Sequence, residues 1–408
     1  MTRARRVRPA APGAPPGNRP GAPPPPDGPW RALRTAGGPI AVVDLDAFDA
    51  NAEGLLRRAA GTPIRVASKS VRSRALISRV LQMEGYAGVL GYSVREAVWL
   101  AEHGIRDVVV AYPSVDRDAI AAVASSPALA EQICFMVDLP EHVRLLVDLA
   151  VLAGARLRVA IDADCSLRLG PLSVGVHRSK VRTPEDAGRL AGLIARTPGV
   201  RLCGLMLYEA QVAGVPDDRR GIRLVKRLSN DQLSRRRREI RAAVEGHGSL
   251  ELVNGGGTGS LHTTRLDPAV TELAAGSGLF MPASFDGFAD LGTRPAAWFA
   301  SPVTRKPADD VVVTFSGGYH ASGAPGRSRL PVPTYPAGLS YFAQEGAGEV
   351  QTPLRGAAAR RLNVGDLVWF RHAKAGEMCE RFTELLLVRG GQVVERVPTY
   401  RGEGQSFG

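Results

Sequence analysis

The stretch IRVASKSVRSRALISRVLQMEGYAGVLGY (residues 64–92) contains one unit of the pattern that decides the fold. It begins with the apolar run IRVAS (64–68), passes through polar residues into ALISRVLQ, and returns to the apolar run AGVLGY (87–92). Runs of Val, Ile and Leu without polar alternation are typical of strands that are buried on both faces. The stretch therefore predicts two buried strands separated by a helix.

The same alternation continues along the chain. The further predicted strands are DVVVAY (107–112), ICFMVD (133–138), LRVAID (157–162), RLCGLMLY (201–208), LELVN (250–254) and TELAAG (271–276). Helical stretches such as SVREAVWLAEHG, PEHVRLLVDLAVLAG and TPEDAGRLAGLIART fill most of the gaps, and several begin on Ser, Thr or Pro-Glu and end on Gly. About eight alternations predict an α/β fold with a parallel (β/α)8 barrel of the TIM type, with a doubly wound open sheet as the alternative.

Composition indicates a globular protein. The 408 residues, 44% hydrophobic and 23% charged, suffice for a sizeable core and for roughly two domains. No apolar stretch approaches the roughly 20 residues that cross a bilayer, and the amino terminus has no apolar signal core, so we expect a cytoplasmic protein without a membrane partner. The four cysteines lie far apart without CxxC spacing, which predicts reduced thiols; they are Cys134, Cys165, Cys203 and Cys379.

The net charge of +12 raises the question of nucleic-acid binding. Residues 1–30 form a Pro/Arg-rich tail that cannot make a packed core, so we expect disorder there. A second basic cluster, residues 223–241, has apolar residues near helical spacing, at Leu224, Leu228, Leu233 and Ile240. This spacing predicts a helix whose arginines form a solvated face. Since zinc-finger spacing and RNP-like patterns are missing from the sequence, we predict no nucleic-acid partner.

Two glycine-rich segments follow the last two predicted barrel strands. They are GGGTGS (255–260) and GSGLF (276–280). In a (β/α)8 barrel, ligand groups follow the carboxyl ends of the strands, and phosphate is held after the seventh and eighth. Glycines let the backbone approach an anion closely, while Thr258, Ser260 and Ser277 can add hydroxyl donors. The two segments therefore predict a phosphate site.

Lys69 follows the first predicted barrel strand, on the same face as these segments. A lysine at a loop is most often a solvated residue, but a lysine amine beside a phosphate site can also act as a nucleophile. A Schiff-base lysine together with a phosphate-ester site suggests pyridoxal 5′-phosphate (PLP). A Schiff-base aldolase that acts on a sugar phosphate without PLP is an alternative with the same two features.

Six pieces of the chain together resemble a known family. The pieces that carry the resemblance are VVDLDAFDANA, VASKSVR, SLRLG (166–170), GLMLYEAQ (204–211), VNGGGTGS and ELAAGSGLF. In this order and spacing they are similar to the fold-type III PLP enzymes with an alanine racemase-like barrel. Within these, the branch that the chain resembles contains D-threonine aldolase and D-serine dehydratase, and its members are often called amino-acid deaminase/aldolase. The resemblance covers about residues 35–390.

The resemblance implies a set of site residues. Lys69 would hold PLP as a Schiff base, and Tyr208 would lie beside the ring. An arginine would lie near the phenolic oxygen of PLP; Arg168 in SLRLG is the best match, and Arg178, in the insertion PLSVGVHRSK, is its rival. The phosphate would be bound by Gly255, Gly256, Gly257, Thr258, Ser277 and Gly278.

The resemblance also implies a domain organisation. After the tail, residues 31–62 would supply a first strand and helix that pack with the carboxyl-terminal domain. Residues 63–290 would form the PLP-binding barrel, and residues 291–408 a β domain like that of D-serine dehydratase. Its predicted strands are VVVTFSGGYH, DLVWFRHA, TELLLVRG and GQVVERVP.

In this branch the β domain typically carries a His-x-Cys or His-x-Asp pair that binds a divalent metal. Here the corresponding stretch is RHAKAGEMCERF, in which Cys379 follows His372 only after six intervening residues. The pair His372 and Cys379 is therefore a weak prediction of a Zn or Mn site. Without a metal, His372 could be a general base.

The implied function is a PLP-dependent lyase that acts on a small D-β-hydroxy amino acid, by retro-aldol cleavage or by dehydration and deamination. Lys69 would move the α-proton and His372 would handle the β-hydroxyl group. An amino-acid racemase is the first alternative and would need a tyrosine base, for which Tyr319, Tyr335 and Tyr341 are available. A non-catalytic PLP-binding protein is the second. The resemblance also implies a homodimer.

Overall fold

The computed structural model describes residues 33, 37–289 and 291–408. The predicted disordered tail, residues 1–30, lies outside the described residues. Within the described residues, no helix is both long and apolar enough to span a membrane.

The strands of the described chain are β1 (Ile40–Asp44), β2 (Ile64–Ala67), β3 (Tyr86–Gly91), β4 (Val108–Val110), β5 (Ile133–Val137), β6 (Leu157–Asp162), β7 (Leu167–Leu169), β8 (Leu172–Val174), β9 (Val200–Leu207), β10 (Leu252–Gly255), β11 (Glu272–Ala275), β12 (Ala297–Ala308), β13 (Val311–Phe315), β14 (Val332–Tyr335), β15 (Ser340–Tyr341), β16 (Gln351–Arg355), β17 (Leu367–Arg371), β18 (Glu384–Arg389) and β19 (Gln392–Pro398). The α-helices are α1 (Leu45–Ala59), α2 (Arg74–Leu81), α3 (Val94–Glu102), α4 (Arg117–Ala124), α5 (Pro127–Gln132), α6 (Pro140–Leu152), α7 (Pro184–Arg196), α8 (Ala210–Ala213), α9 (Arg220–Glu245), α10 (Leu261–Thr264) and α11 (Ser277–Phe280).

Eight parallel strands close into a barrel in the order β10-β11-β2-β3-β4-β5-β6-β9. The ring closes where β11 pairs with β2, with Leu273 opposite Ile64 and Ala275 opposite Val66. All eight barrel strands predicted from the apolar runs are present, so the barrel is confirmed and the open-sheet alternative is wrong. The run ICFMV in β5 is buried at every position, as expected for a strand that faces the barrel interior on one side and helices on the other.

Two of the helix start signals in the sequence correspond to side-chain caps. Helix α7 begins with a capping box in which the Thr183 side chain accepts from the Asp186 N–H, while Pro184 occupies its first turn. The Ser93 side chain likewise accepts from the Glu96 N–H and caps α3. These local bonds fix where the helices outside the barrel begin.

The first strand belongs to the carboxyl-terminal sheet, as the fold prediction stated. Strand β1 lies between β12, to which it is antiparallel, and β18, to which it is parallel. The sheet follows the path β15-β16-β13-β12-β1-β18-β19, and β14 and β17 branch from it. Of its strands, β12, β14, β15 and β16 were not predicted, nor was the β7–β8 hairpin.

The basic helix α9 differs from the prediction. Leu224 and Leu228, which were expected to be buried, are 55% and 39% exposed. Leu233 and Ile240 are buried as expected, and they share the buried stripe with Lys226, Ser229, Arg237 and Val244. The buried stripe thus includes an arginine, and Arg237 is tolerated there because it pairs with acidic groups of the barrel.

The carboxyl-terminal sheet contacts the barrel at the turn that contains Lys69. Gly376 adopts φ +82°, and a Cβ atom at this position would overlap the carbonyl oxygen of Lys69. Arg72 donates to the same carbonyl oxygen at 3.1 Å and to the Glu380 carboxylate at 2.7 Å. The backbone of the lysine turn is therefore fixed by a segment that lies about 300 residues later in the chain.

We expect Gly376→Ala to destabilise the protein more than Gly338→Ala does. Both glycines have a positive φ, at +82° and +92°, but a Cβ at position 338 would meet no atom within 4 Å. Gly338→Ala should cost about 1 kcal/mol from backbone strain alone. Gly376→Ala should cost about 2–4 kcal/mol, because the clash with Lys69 adds to that strain. Urea unfolding of both variants measures the difference, and equal losses would contradict the close contact.

Candidate active site

Lys69 lies in a 3₁₀ turn, Ser68–Ser70, directly after β2 and therefore at the carboxyl-terminal rim of the barrel. The side chain is exposed at this rim. Its Nζ atom donates to the hydroxyl group of Tyr112 at 2.6 Å. The amine thus faces another side chain of the rim.

Tyr112 is a site residue that the sequence analysis missed. It follows β4, and its ring lies 5.3 Å from Lys69 Nζ and 6.0 Å from the guanidinium carbon of Arg178, both measured to the ring centroid. These distances suit cation–π contacts. We call Lys69, Tyr112 and Arg178 the rim cluster. The position of Tyr112 as the last residue of DVVVAY was the available signal, since barrel enzymes place functional residues at strand ends.

The structure places Arg178, and not Arg168, at the rim cluster. Arg168 lies on β7, where its guanidinium pairs with Asp164 at 3.0 Å and its main chain exchanges hydrogen bonds with the side chain of Gln232 on α9. The β7–β8 hairpin binds the main chain of Arg168 to Gln232 on α9, so this arrangement favours the rival, Arg178, as the arginine of the rim cluster. The rival, Arg178, is brought to the rim next to Ser179, whose hydroxyl donates to the Asp162 carbonyl oxygen at 2.7 Å.

Tyr208 follows β9 and lies near the rim cluster. Burial raises the pKa of Tyr208 to about 12, and the charges that act on its hydroxyl include those of Tyr112 and Arg178. A Cβ atom on Gly257 would lie 3.4 Å from Cε2 of the Tyr208 ring. The ring therefore lies between the rim cluster and the first glycine-rich segment.

The two glycine-rich segments meet each other and the lysine turn. The N–H of Gly278 donates to Oγ1 of Thr258 at 3.0 Å, which joins the second segment to the first. The hydroxyl groups of Ser70 and Ser277 lie 3.1 Å apart, which joins the second segment to the lysine turn. A side chain at Gly278 would lie 2.8 Å from Cγ2 of Thr258, so this approach requires glycine.

Two amides of the first glycine-rich segment already have partners. The Gly256 N–H donates to the Glu209 carboxylate at 3.1 Å, and the Gly257 N–H donates to the Ser260 hydroxyl at 3.1 Å. Gly255 is the last residue of β10. In this arrangement Gly255, Gly256 and Gly257 shape the segment, while the hydroxyls of Thr258 and Ser277 are the polar side-chain groups where the segments meet.

The donor set fits PLP. At this barrel rim the amine suits the aldehyde of PLP, the guanidinium group suits its phenolic oxygen, and the two tyrosines suit its aromatic ring. The two joined glycine-rich segments suit its phosphate ester. Lys69, Arg178 and Tyr208 would hold the ring end, and Thr258, Ser277 and Gly278 the phosphate end.

Two carboxylates stand at neighbouring strand ends beside the rim cluster. Asp162 ends β6, and Asp138 follows β5. Burial, together with the charge of Asp138, raises the pKa of Asp162 to about 7, while Arg178 acts in the opposite direction. Like charges in a poorly solvated site disfavour double ionisation, so Asp162 titrates near neutral pH.

His372 follows β17 and is buried, with 3% of its surface exposed. Neither ring nitrogen makes a well-formed hydrogen bond to a described residue, and the ring lines a small pocket with Tyr319, Lys374 and Glu377. Burial, with a further effect from the positive Arg371, lowers the pKa of His372 to about 3. The ring is therefore neutral at pH 7 and holds a proton weakly, which does not favour the predicted role as a general base.

Cys379, the predicted partner of His372 in a metal pair, contacts the main chain of the lysine turn. The thiol of Cys379 donates to the carbonyl oxygen of Val71 at 3.3 Å, and burial raises its pKa to about 12. Across residues 33, 37–289 and 291–408, no group of three His, Cys, Asp or Glu side chains is placed to hold a metal ion.

The tyrosines considered for a racemase base make other contacts. The hydroxyl of Tyr341 donates to the Pro331 carbonyl at 2.8 Å, and that of Tyr319 lies 3.1 Å from the Ser316 hydroxyl. Tyr335 lies in β14, where it pairs with Trp369. Within the described chain, Tyr112 is the tyrosine that contacts the Lys69 amine.

The raised pKa of Asp162 predicts a pH-dependent effect of Asp162→Asn on the cofactor-free protein. A carboxyl group whose folded pKa is raised contributes stability below its unfolded value, near 4, and loses it as the pH rises through about 7. The variant should therefore match the wild type at pH 4 and exceed its free energy of unfolding at pH 8. Asp118→Asn is the control, because that side chain is 94% exposed. A pH-independent difference for Asp162→Asn would contradict the raised pKa.

Comparisons with known proteins agree with this architecture. Among curated proteins, the chain is similar to 3-hydroxy-D-aspartate aldolase from Paracoccus denitrificans (strain Pd 1222), with 26% identity over 252 residues. This alignment covers 60% of this chain and 61% of that relative. The alignment thus spans less than two thirds of that relative's length. A D-threonine aldolase from Arthrobacter sp is 26% identical over 306 residues, covering 72% of this chain and 75% of that protein.

Solved structures share the fold. D-threonine aldolase from Filomicrobium marinum superposes with a TM-score of 0.75 at 24% identity, covering 89% of this chain and 95% of that one. D-threo-3-hydroxyaspartate dehydratase from Delftia sp. HT23 gives 0.69 at 20% identity, covering 90% and 98%. The family model of the alanine racemase N-terminal domain matches residues 43–283, more than half of the chain. The protein therefore belongs to the alanine racemase N-terminal domain family.

Proposed function

We propose that the protein is a PLP-dependent lyase that acts on D-β-hydroxy amino acids. The observation that carries the proposal is the hydrogen bond between Lys69 Nζ and Tyr112 at the barrel rim, on a turn that also contacts the second glycine-rich segment through Ser70 and Ser277. The family membership and the names of the relatives, two aldolases that act on D-amino acids, support the same class.

PLP, when bound, withdraws electrons from the α-carbon of an amino acid. Lys69 is the amine that would hold PLP and then move a proton to or from the substrate. Tyr112 holds the Lys69 amine by its hydroxyl group and is placed to exchange a proton with it. Arg178 adds positive charge at the same rim and would bind an anionic oxygen.

Two reactions fit this site. Retro-aldol cleavage removes the β-hydroxyl proton and breaks the Cα–Cβ bond; Cα then takes a proton, and the products are glycine and an aldehyde. Dehydration removes the α-proton and the β-hydroxyl group as water, and hydrolysis of the resulting imine by one water gives a keto acid and ammonia. His372 faces its pocket as a neutral ring and would offer one hydrogen bond to a substrate hydroxyl. A divalent metal is not part of the proposal, and a homodimer is proposed from the family resemblance alone.

Lys69→Ala should abolish both turnover and the visible absorbance of the lysine-bound cofactor, because the amine that holds PLP is removed. Lys180→Ala is the matched control, since Lys180 is an exposed lysine close in sequence to Arg178. Absorbance spectra and assays with D-threonine measure both effects. A Lys69→Ala protein that stays coloured and active would refute the assignment of Lys69.

Tyr112→Phe should lower kcat by roughly 10²- to 10⁴-fold while PLP remains bound, because the variant loses only the hydroxyl group that contacts Lys69. The control is Tyr86→Phe, whose hydroxyl donates to the Ala52 carbonyl away from the rim. Steady-state rates together with the cofactor spectrum separate loss of chemistry from loss of PLP. An unchanged kcat would remove Tyr112 from the mechanism.

Incubation with D-threonine and D-serine identifies the reaction. An aldehyde with glycine indicates the aldolase, and a keto acid with ammonia indicates the dehydratase. Appearance of the L-enantiomer without either product would replace the proposed lyase by a racemase. A protein that binds PLP but converts neither amino acid nor 3-hydroxy-D-aspartate would contradict an enzymatic role on this substrate class.

A further inference from the structure

Glu209 is a fully buried carboxylate directly behind the first glycine-rich segment. It follows Tyr208 at the carboxyl end of β9, and none of its surface is exposed. A buried carboxylate is costly unless it is paired and hydrogen-bonded. Although burial opposes ionisation, Arg237 and the donors around the carboxylate hold the pKa of Glu209 below its ordinary value. Glu209 is therefore an anion in the folded protein.

Both oxygens of this anion are used. Oε2 accepts from Nη2 of Arg237 at 2.5 Å and from the Gly256 N–H at 3.1 Å. Oε1 accepts from the Ser260 hydroxyl at 2.7 Å and also from the Thr264 hydroxyl. Three of the four donors thus come from residues 256–264, the glycine-rich segment and the short helix that follows it.

Arg237 connects the same carboxylate to the barrel wall. Its Nη2 also donates to the Leu207 carbonyl at 2.7 Å, and its Nη1 lies 3.5 Å from the Asp267 carboxylate. The arginine is itself buried on α9. Glu209 and Arg237 therefore fix the glycine-rich segment relative to the end of β9 and to α9.

The bond from Gly256 determines the local backbone. Gly256 adopts φ +79°, a conformation that only glycine adopts at low cost, and its N–H points back to Glu209. Two residues later, Thr258 accepts the N–H of Gly278 and so joins the two segments. Loss of the Glu209 carboxylate would release three donors near this junction. They are the Gly256 N–H and the hydroxyl groups of Ser260 and Thr264.

We infer that Glu209 is a positioning residue that fixes the shape of the phosphate-binding segment from behind, without contacting the cofactor. The inference rests on the proposed function, because it requires that the glycine-rich segments receive the phosphate of PLP. Its specific consequence is that Glu209 contributes to the binding of the phosphate group and not to that of the pyridine ring. Pyridoxal, which has the same aldehyde and ring but no phosphate, separates the two contributions.

The test titrates PLP and pyridoxal into cofactor-free wild type and Glu209→Gln and follows the visible absorbance. Glu209→Gln keeps the side-chain volume but removes the charge that the four donors share. We expect the Kd for PLP to rise by about 10- to 100-fold, as for loss of a charged hydrogen-bond acceptor, and the Kd for pyridoxal to change by less than about twofold.

Glu272→Gln is the matched control. Glu272 is also buried and pairs with an arginine, Arg65, at 2.7 Å, but it lies at the first residue of β11 and therefore at the opposite end of the barrel. This variant should lose a similar amount of stability and keep the wild-type ratio of the two Kd values.

Thr264→Val replaces Glu209→Gln in the test if Glu209→Gln does not fold, since it removes one donor to Glu209 with little change in shape. It should raise the Kd for PLP in the same direction by a smaller factor.

The outcomes separate the inference from the proposed function. If the wild type binds PLP no more tightly than pyridoxal, the phosphate site itself is wrong. If the wild type prefers PLP but Glu209→Gln and Thr264→Val keep the wild-type ratio, or weaken both ligands equally, Glu209 does not position the phosphate segment. A loss confined to PLP in these variants supports the inference.

Discussion

Closure of the parallel barrel is the constraint on which the site depends. The pairing of β11 with β2 completes the ring, and it puts the carboxyl ends of all eight strands on one rim. Lys69, Tyr112 and Tyr208 follow three of these strands, and residues 276–280 follow a fourth. Ser70 and Ser277, which are more than 200 positions apart in the sequence, therefore meet at this rim. Without the last strand pair, neither the lysine turn nor the glycine-rich segments would have a fixed position.

Buried ion pairs fix the two ends of the barrel in different ways. At the amino end, Arg65 binds Glu272 at 2.7 Å and Asp107 at 2.9 Å, which closes the interior with charges that are satisfied by one another. At the rim, Arg237 and Glu209 hold the glycine-rich segment. Breaking a buried pair by removing one partner typically costs about 3–5 kcal/mol. Such pairs specify one arrangement of the chain more than they add net stability, and at the rim that arrangement is the one the proposed cofactor would need.

The barrel could be predicted from the sequence because its strands are buried on both faces, which leaves apolar runs that need no partner to be recognised. The β domain was harder, since strands such as β14 (VPTY) and β16 (QTPLR) are short and partly exposed and carry no apolar run. Among the site residues, Lys69 and the glycine-rich segments followed from their place after strands. Tyr112 was missed because a tyrosine at a strand end looks like a core residue until the lysine amine is placed beside it.

The contacts of Arg168, Leu224 and Cys379 could not be predicted from the sequence, because parts of the chain that are distant in sequence determine each of them. Arg168 is held on α9 by the β7–β8 hairpin, which the sequence did not reveal. Leu224 is exposed because α9 turns the face that carries Arg237 toward the barrel, and the thiol of Cys379 donates to a backbone carbonyl.

The position of β1 has a different kind of consequence, for biosynthesis. Because its two neighbours are β12 and β18, β1 must remain unpaired during synthesis until these later strands have been made, while the barrel strands can already assemble. The backbone of the nascent lysine turn is supported only after Gly376 and Glu380 have emerged, so a prematurely terminated chain would retain Lys69 without the segment that fixes this backbone.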